Sequence, residues 1–293
     1  MSTQSTRSFA AVQLERQPAL RDEAVGSSTF DILKNHPQRK QVTIDGEQFY
    51  IVEGDLMLDE DQLAIYSLQQ ETLKKARLLG ISTMTEQPQS DALVGIVQNG
   101  KLVRWKEGLV LTYCVLKGTL FSQERYQLVC DSMKKATEDW QKTCGVHFEH
   151  RVELDESPGT ENPGVLFTVR GIDAGGQFIA AAFFPNDPAN RRRVLIDPSY
   201  FDQDLGFDKA GVLRHELGHV LGFRHEHIRS GAPAACPDEP LFGTSDLTQY
   251  DPRSVMHYFC GGVGSRELAM TELDRIGSQK LYGPPFDMFF FVG

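Results

Sequence analysis

No run of apolar residues in this 293-residue chain approaches the ~18 that a membrane-spanning helix needs. Positive charge is also short: 30 Lys and Arg stand against 40 Asp and Glu, a formal net charge of −10. With no basic face to neutralise phosphates, a nucleic-acid partner is not expected. The one basic run, Arg191-Arg192-Arg193, follows FFPNDPAN and reads as a solvated turn. Neither GxGxxG nor GxxxxGK[ST] occurs, so the common nucleotide loops have no support. No CxxC pair occurs either, which disfavours a zinc knuckle or a thioredoxin-like site. Cysteine is sparse, with five residues (Cys114, Cys130, Cys144, Cys236, Cys260), so at least one is unpaired in a monomer. Cys236 and Cys260 sit in loop-like sequence and are the best candidates for a bridge; five thiols is the alternative. The first residues, MSTQSTRSFAAVQLERQ, lack the apolar core of a secretory signal. Retention, another export route and a signal outside the given chain all stay open.

The pattern that is present divides the chain in two. Residues 1–40 are polar and weakly periodic. QVTIDGEQFYIVEGD predicts two short strands around Asp45-Gly46. DEDQLAIYSLQQETLKKARLLG then predicts a helix that stops at Gly80. Residues 82–92, polar and containing Pro88, read as a linker. The expected organisation is thus an N-terminal segment with linker, 1–92, and a second unit, 93–293. In that unit a strand is expected at 109–115, then a helix over 122–144 with Ser122 as N-cap. VHFEHRV, VLFTVRG and FIAAAFF follow as strands, with VLIDPSYF a possible fourth. A helix through DKAGVLRHELGHVLG, a loop-rich stretch and a last helix, TELDRIGSQKLYG, complete the pattern. The apolar tail FDMFFFVG is expected to pack on its own unit.

Four of the chain's eight histidines fall within HELGHVLGFRHEH, residues 215–227. On a helix His215 and His219, four apart, project from one face. Glu216 sits beside the first, within reach of a water at the metal without being a ligand. Gly222 stands where a helix ending in a left-handed conformation needs no Cβ, and such a turn aims His225 at the same point. Three neutral nitrogens with one position left open are the requirement of catalytic rather than structural zinc. Manganese, iron or cobalt could fill three histidines, but a redox-silent Lewis acid favours one Zn2+ per chain.

HExxHxxGxxH is the metzincin signature, and SVMHY at 254–258 resembles the methionine turn that follows it. Together the two segments most resemble the astacins. The likeness extends from about Trp105 to Gly283 through RWKEGLVLTY, ATEDWQKTCGVHFEH, YDPRSVMHY and DRIGSQKLYG. The resemblance implies an α+β zincin-like fold: a twisted mixed sheet, an active-site helix and a C-terminal helix, with a small N-terminal pro-region. It implies a zinc endopeptidase acting on protein or peptide substrates. The ligands would be His215, His219 and His225, with Glu216 as general base and Tyr258 as oxyanion stabiliser. Met256 would lie beneath the metal, and Glu226 would anchor the N-terminus freed on activation. Arg229 also falls on pattern. Substrate would lie extended along an edge strand in GGQFIAAAFFP. In the N-terminal segment Glu53-Gly54-Asp55 resembles the x-G-D of astacin pro-segments, with Val52 where a Phe stands. Asp55 would then be the zymogen zinc switch. The family also implies secretion. Departures are SGAP after Arg229, and the lack of a tail cysteine to pair with Cys144. The alternative is a catalytically silent zinc domain that binds a partner protein through its cleft.

Overall fold

The computed structural model describes residues 34, 40–52, 54–68, 93–98, 101–159, 161–228 and 244–288. Its N-terminal part is a three-stranded antiparallel sheet of β1 (Gln41–Ile44), β2 (Glu47–Val52) and β3 (Leu56–Leu58). Asp45 and Gly46 both take positive φ, 54° and 81°, as a two-residue hairpin turn matched to strand twist requires. Residues 60–68 are helical. Asp59 and Gln62 cap that helix reciprocally, each side chain accepting the other's backbone N–H at 2.7 and 2.9 Å. The rest of the helix expected to run to Gly80, and the linker 82–92, lie outside the described residues.

The larger sheet has five strands in the order β7, β6, β8, β10, β9. These are β6 (Val110–Val115), β7 (His147–His150), β8 (Phe167–Gly171), β9 (Ala180–Ala181) and β10 (Arg193–Ile196). All pair in parallel except β9, which runs antiparallel to β10 at one edge. The mixed sheet with separate helices makes the fold α+β. Helix α1 (Gln123–Thr143) crosses from β6 to β7; Ser122 accepts from the Arg125 N–H, and Arg125 offers no reciprocal acceptor. Its buried stripe, Val129, Met133, Ala136 and Trp140, has helical spacing. That stripe packs against α2 (Lys209–Val220), where the Trp140 indole donates to the Arg214 carbonyl at 2.8 Å. A second small sheet joins β4 (Val94–Gln98) to β5 (Lys101–Leu102), β11 (Phe223–Arg224) and β12 (Thr244–Asp246). Helix α3 (Glu272–Tyr282) starts in a capping box between Thr271 and Asp274 and is followed by Gly283.

Three expectations need correction. The strand read in FIAAAFF shrinks to Ala180–Ala181, because the Phe184 N–H turns to the Asp187 carboxylate at 2.7 Å and Pro185 follows. In VLIDPSYF the strand ends at Ile196, and Asp197 caps a 3₁₀ turn at Pro198–Phe201. The arginine run is not a solvated turn. Arg193 opens β10 and is buried, Arg191 pairs with Asp59 and Glu47, and the Arg192 guanidinium lies 5.1 Å from the Trp105 ring. Its acidic partners are more than 130 positions away in sequence, so local context could not show them.

Strand alternation gives the five-stranded sheet two different faces. Phe167, Val169, Val194 and Ile196 point into the main core with α1 and α2. Leu195 and Ala181 face the other way and pack with Val42, Ile44, Phe49 and Ile51 of the N-terminal sheet. Cys260 is disulfide-bonded, whereas Cys114, Cys130 and Cys144 are free. Its expected partner, Cys236, lies outside the described residues. In the tail, Phe286 and Met288 are exposed rather than packed, and residues 289–293 lie outside the described part. Among the described residues no helix is long and apolar enough to cross a membrane.

Candidate metal centre

Helix α2 begins at an Asp208 cap, which accepts the Gly211 N–H at 2.7 Å, and carries His215 and His219 on one buried face. Their ring centroids are 4.9 Å apart and nearly perpendicular. After Leu221 the chain turns at Gly222, whose φ is +94°. A Cβ there would meet the Val103 carbonyl oxygen at 3.0 Å, so both the dihedral and the close approach demand glycine. The reversal brings His225 back beside His219, with the two Nε2 atoms 3.1 Å apart.

The orientation of two rings is fixed from behind. His215 Nδ1–H donates to the Val255 carbonyl and His219 Nδ1–H to the Phe223 carbonyl, each at 2.8 Å. A carbonyl can only accept, so the proton sits on Nδ1 and the Nε2 lone pair faces the centre. Asp55 arrives from the N-terminal sheet, its carboxylate oxygens 3.2 Å from His225 Nε2 and 3.4 Å from His215 Nε2. Ligand atoms of Asp55, His215, His219 and His225 all lie within 4.8 Å of one another. Burial first, then the neighbouring His225 and His215, hold the His219 pKa well below its usual value, which keeps the ring neutral. Burial opposes charge on Asp55, yet His225, His215 and His219 together hold its carboxyl well below the usual range. Imidazole Nε2 atoms that converge on one another and on a carboxylate suit a divalent cation of the zinc type, which binds the neutral ring.

Glu216 is buried next to this group, and its Oε2 has no hydrogen-bond partner. Burial, and then the charge of Asp55, raise its pKa well above the usual carboxyl value. Glu216 lines one cleft with Asp55, His215 and Tyr258, and with Gln177, Phe178, Ile179 and Ala180 at the edge of the five-stranded sheet. The Tyr258 ring lies 4.4 Å from His225 and 5.7 Å from His215. A Cβ on Gly54 would be 2.9 Å from the Tyr258 hydroxyl, so the Gly-Asp step is what lets the N-terminal segment approach so closely. Met256 is fully buried under α2, and its Sδ would lie 2.2 Å from a Cβ on Gly218. Glu226 accepts from the Leu93 N–H at 3.1 Å and the Asp251 N–H at 2.9 Å. Arg229 and Glu53 lie outside the described residues.

Several supports were not read from sequence. Asp274, inside the α3 capping box, also accepts from the Ser254 hydroxyl and the Val255 N–H. It therefore holds the turn whose Val255 carbonyl orients His215. His257 Nδ1–H donates to the Tyr258 carbonyl, and its Nε2 meets the Tyr250 hydroxyl at 2.7 Å. Phe184 presents its ring edge-on to His219, with centroids 5.3 Å apart. The sequence marked TELDRIGSQKLYG only as a helix; the capping by Asp274 and its second duty, a contact twenty residues away, appear in the structure.

No family model matches the chain. Over 62 residues it is 42% identical to an astacin-like metalloendopeptidase of Coturnix japonica, a match spanning 16% of this chain and 15% of that protein. Over 90 residues it is 32% identical to the zinc metalloproteinase nas-3 of Caenorhabditis elegans, spanning 28% of this chain and 30% of that one. These matches thus span well under half the length of the curated relatives. Among solved structures, that of myroilysin superposes on 61% of this chain and 82% of its own, with a TM-score of 0.40 and 15% identity.

Proposed function

We propose that this chain, a divergent relative of the astacin-type zinc metallopeptidases over its matched stretches, is a zinc-dependent endopeptidase acting on extended protein or peptide segments. The observation that carries the proposal is the convergence of three imidazoles, His215 and His219 turned by their Nδ1–H bonds and His225 brought back by the turn at Gly222, beside a buried and unpartnered Glu216 Oε2. A purely structural site would have no use for a buried carboxylate such as Glu216 beside its ligands, and the fourth ligand-type group here, Asp55, comes from the N-terminal sheet.

His215, His219 and His225 would hold one Zn2+. Bound there, zinc supplies Lewis acidity toward a peptide carbonyl and lowers the pKa of water toward about 7. Glu216 Oε2 takes the proton from the attacking water and returns it to the leaving amine nitrogen, so that one C–N bond breaks and one C–O bond forms. The Tyr258 hydroxyl donates to the oxygen that becomes negative in the transition state. An extended substrate pairs with the outer edge at Ala180–Ala181, which among the described residues has a strand partner, β10, on one side.

The same reading makes residues 1–92 a latency segment with linker and 93–293 the catalytic unit. Asp55 supports it, because its carboxylate stands among the histidine nitrogens where substrate and water would compete. Glu226 supports it too: a buried carboxylate already taking the Leu93 N–H is poised to take an ammonium if the chain is cut there. The disulfide at Cys260 suits an oxidising, extracellular setting.

The test combines metal analysis with digestion of a peptide library, before and after limited proteolysis near residue 90. Glu216→Ala should keep stoichiometric zinc while turnover falls about 10²–10⁴-fold. Undiminished turnover in that variant removes Glu216 as the base.

A further inference from the structure

Three arginines stand on the outer side of the five-stranded sheet, none of them among the residues that line the cleft. Arg170 belongs to β8, Arg193 opens β10 and Arg191 lies just before it. Their side chains are 4%, 8% and 14% exposed, so they are largely removed from water. Each has a carboxylate partner in the N-terminal segment. Asp45 bridges Arg170 and Arg193, the latter at 3.3 Å, while Arg191 takes Asp59 at 2.7 Å and Glu47 at 3.1 Å. Phe49 is wedged among the guanidiniums, 5.2 Å from Arg191 and 5.7 Å from Arg193. Around this polar set Ile44, Phe49 and Ile51 are buried against Phe178, Ala181 and Leu195. Lys40 adds a hydrogen bond to the Gln177 carbonyl at 2.9 Å.

We infer that this arginine-bearing sheet face is a docking surface for residues 40–68, which remain bound to the body as a separate peptide after the linker is cut. The inference deepens the latency reading: the segment is held over the cleft by its own interface, and Asp55 is only the part that reaches the metal group. Bared, the face would combine an apolar patch with guanidiniums close enough to repel one another. Burial and the neighbouring Arg170 already work against charge on Arg193, with Asp45 working for it. An acid-bearing turn with an aromatic residue four positions on from Asp45 answers both problems at once. Part-buried charge pairs of this kind are lost slowly when intact and quickly when one partner is truncated. Cleavage alone therefore leaves a nicked, still covered protein, and activity appears only when the segment dissociates.

The experiment uses the full chain with a specific protease site engineered within residues 82–92, nicked and then run on a sizing column. In the parent, residues 40–68 should co-elute with the body at low ionic strength after complete cleavage. Asp45→Asn with Glu47→Gln should weaken retention about tenfold or more; asparagine tolerates the left-handed turn, so the hairpin is kept. Both changes lie on the segment, so the body is unaltered, and its melting temperature and zinc content report that directly. Arg191→Gln should give the same release from the opposite side. Release of the parent segment as soon as the bond is cut overturns the inference. So does equal retention of the carboxylate variant. Peptide cleavage is followed in parallel: a zinc-loaded body freed of its segment yet inert would sink the peptidase reading while leaving the docking result standing.

Discussion

At Gly218 a single methyl group would force the Met256 side chain to shift. A Cβ there would sit 2.2 Å from Met256 Sδ and 3.3 Å from the Trp140 ring. Gly218→Ala should cost about 1–3 kcal/mol of stability, read as a shift in urea midpoint. The cost should shrink when combined with Met256→Ala, which removes the sulfur; strict additivity would contradict the contact. The motif's spacing made the shared face of His215 and His219 and the turn at Gly222 legible in advance. The reason Gly218 has no side chain was not, because Met256 is thirty-eight positions further on. The carbonyls of Val255 and Phe223 that orient the rings were equally hidden, since backbone acceptors leave no mark on side-chain identity.

Among the elements, α3 does more than close the chain. Its third residue, Asp274, is fully buried while accepting from Thr271, Ser254 and Val255, and burial pushes its carboxyl up to about 6. The folded pKa is raised above the unfolded value of 3.8, so the fold binds this proton more tightly than the unfolded chain does. The resulting stabilisation is present below about pH 4 and is lost as pH rises through about 6. The difference in unfolding free energy between the parent and Asp274→Asn should therefore decline from pH 4 to pH 7, by up to roughly 3 kcal/mol. A flat difference over that range would remove Asp274 as its source. Element identity was readable where local signals agree, as in β1–β2 with Asp45-Gly46, and also in α1, where Ser122 caps although Arg125 breaks the capping-box pattern. It was misread in FIAAAFF, where composition favours a strand but a side-chain turn at Asp187 ends it.

For the whole molecule, a change of texture near residue 92 was visible in sequence, but the contact between the N-terminal sheet and the five-stranded sheet was not. The arginine run looked like a solvated turn because its acids lie in the other part of the chain. If the segment rests on its own interface, removing the carboxylate from the metal group relieves only part of the block. Asp55→Ala should raise peptide turnover of the uncleaved chain to a measurable level. Adding Asp45→Asn and Glu47→Gln should raise it further, by about tenfold. An Asp55→Ala chain as quiet as the parent would show that this carboxylate is not the switch.

The polar supports of the metal group run from Asp55 in the first quarter of the chain to Asp274 near its end, by way of the Val255 carbonyl and His215. A ribosome must therefore have delivered almost the entire polypeptide before the His215 ring can be held in register with the other two. Ion capture belongs to the final stage of assembly, and a nascent chain stalled ahead of residue 271 should leave the cation in solution.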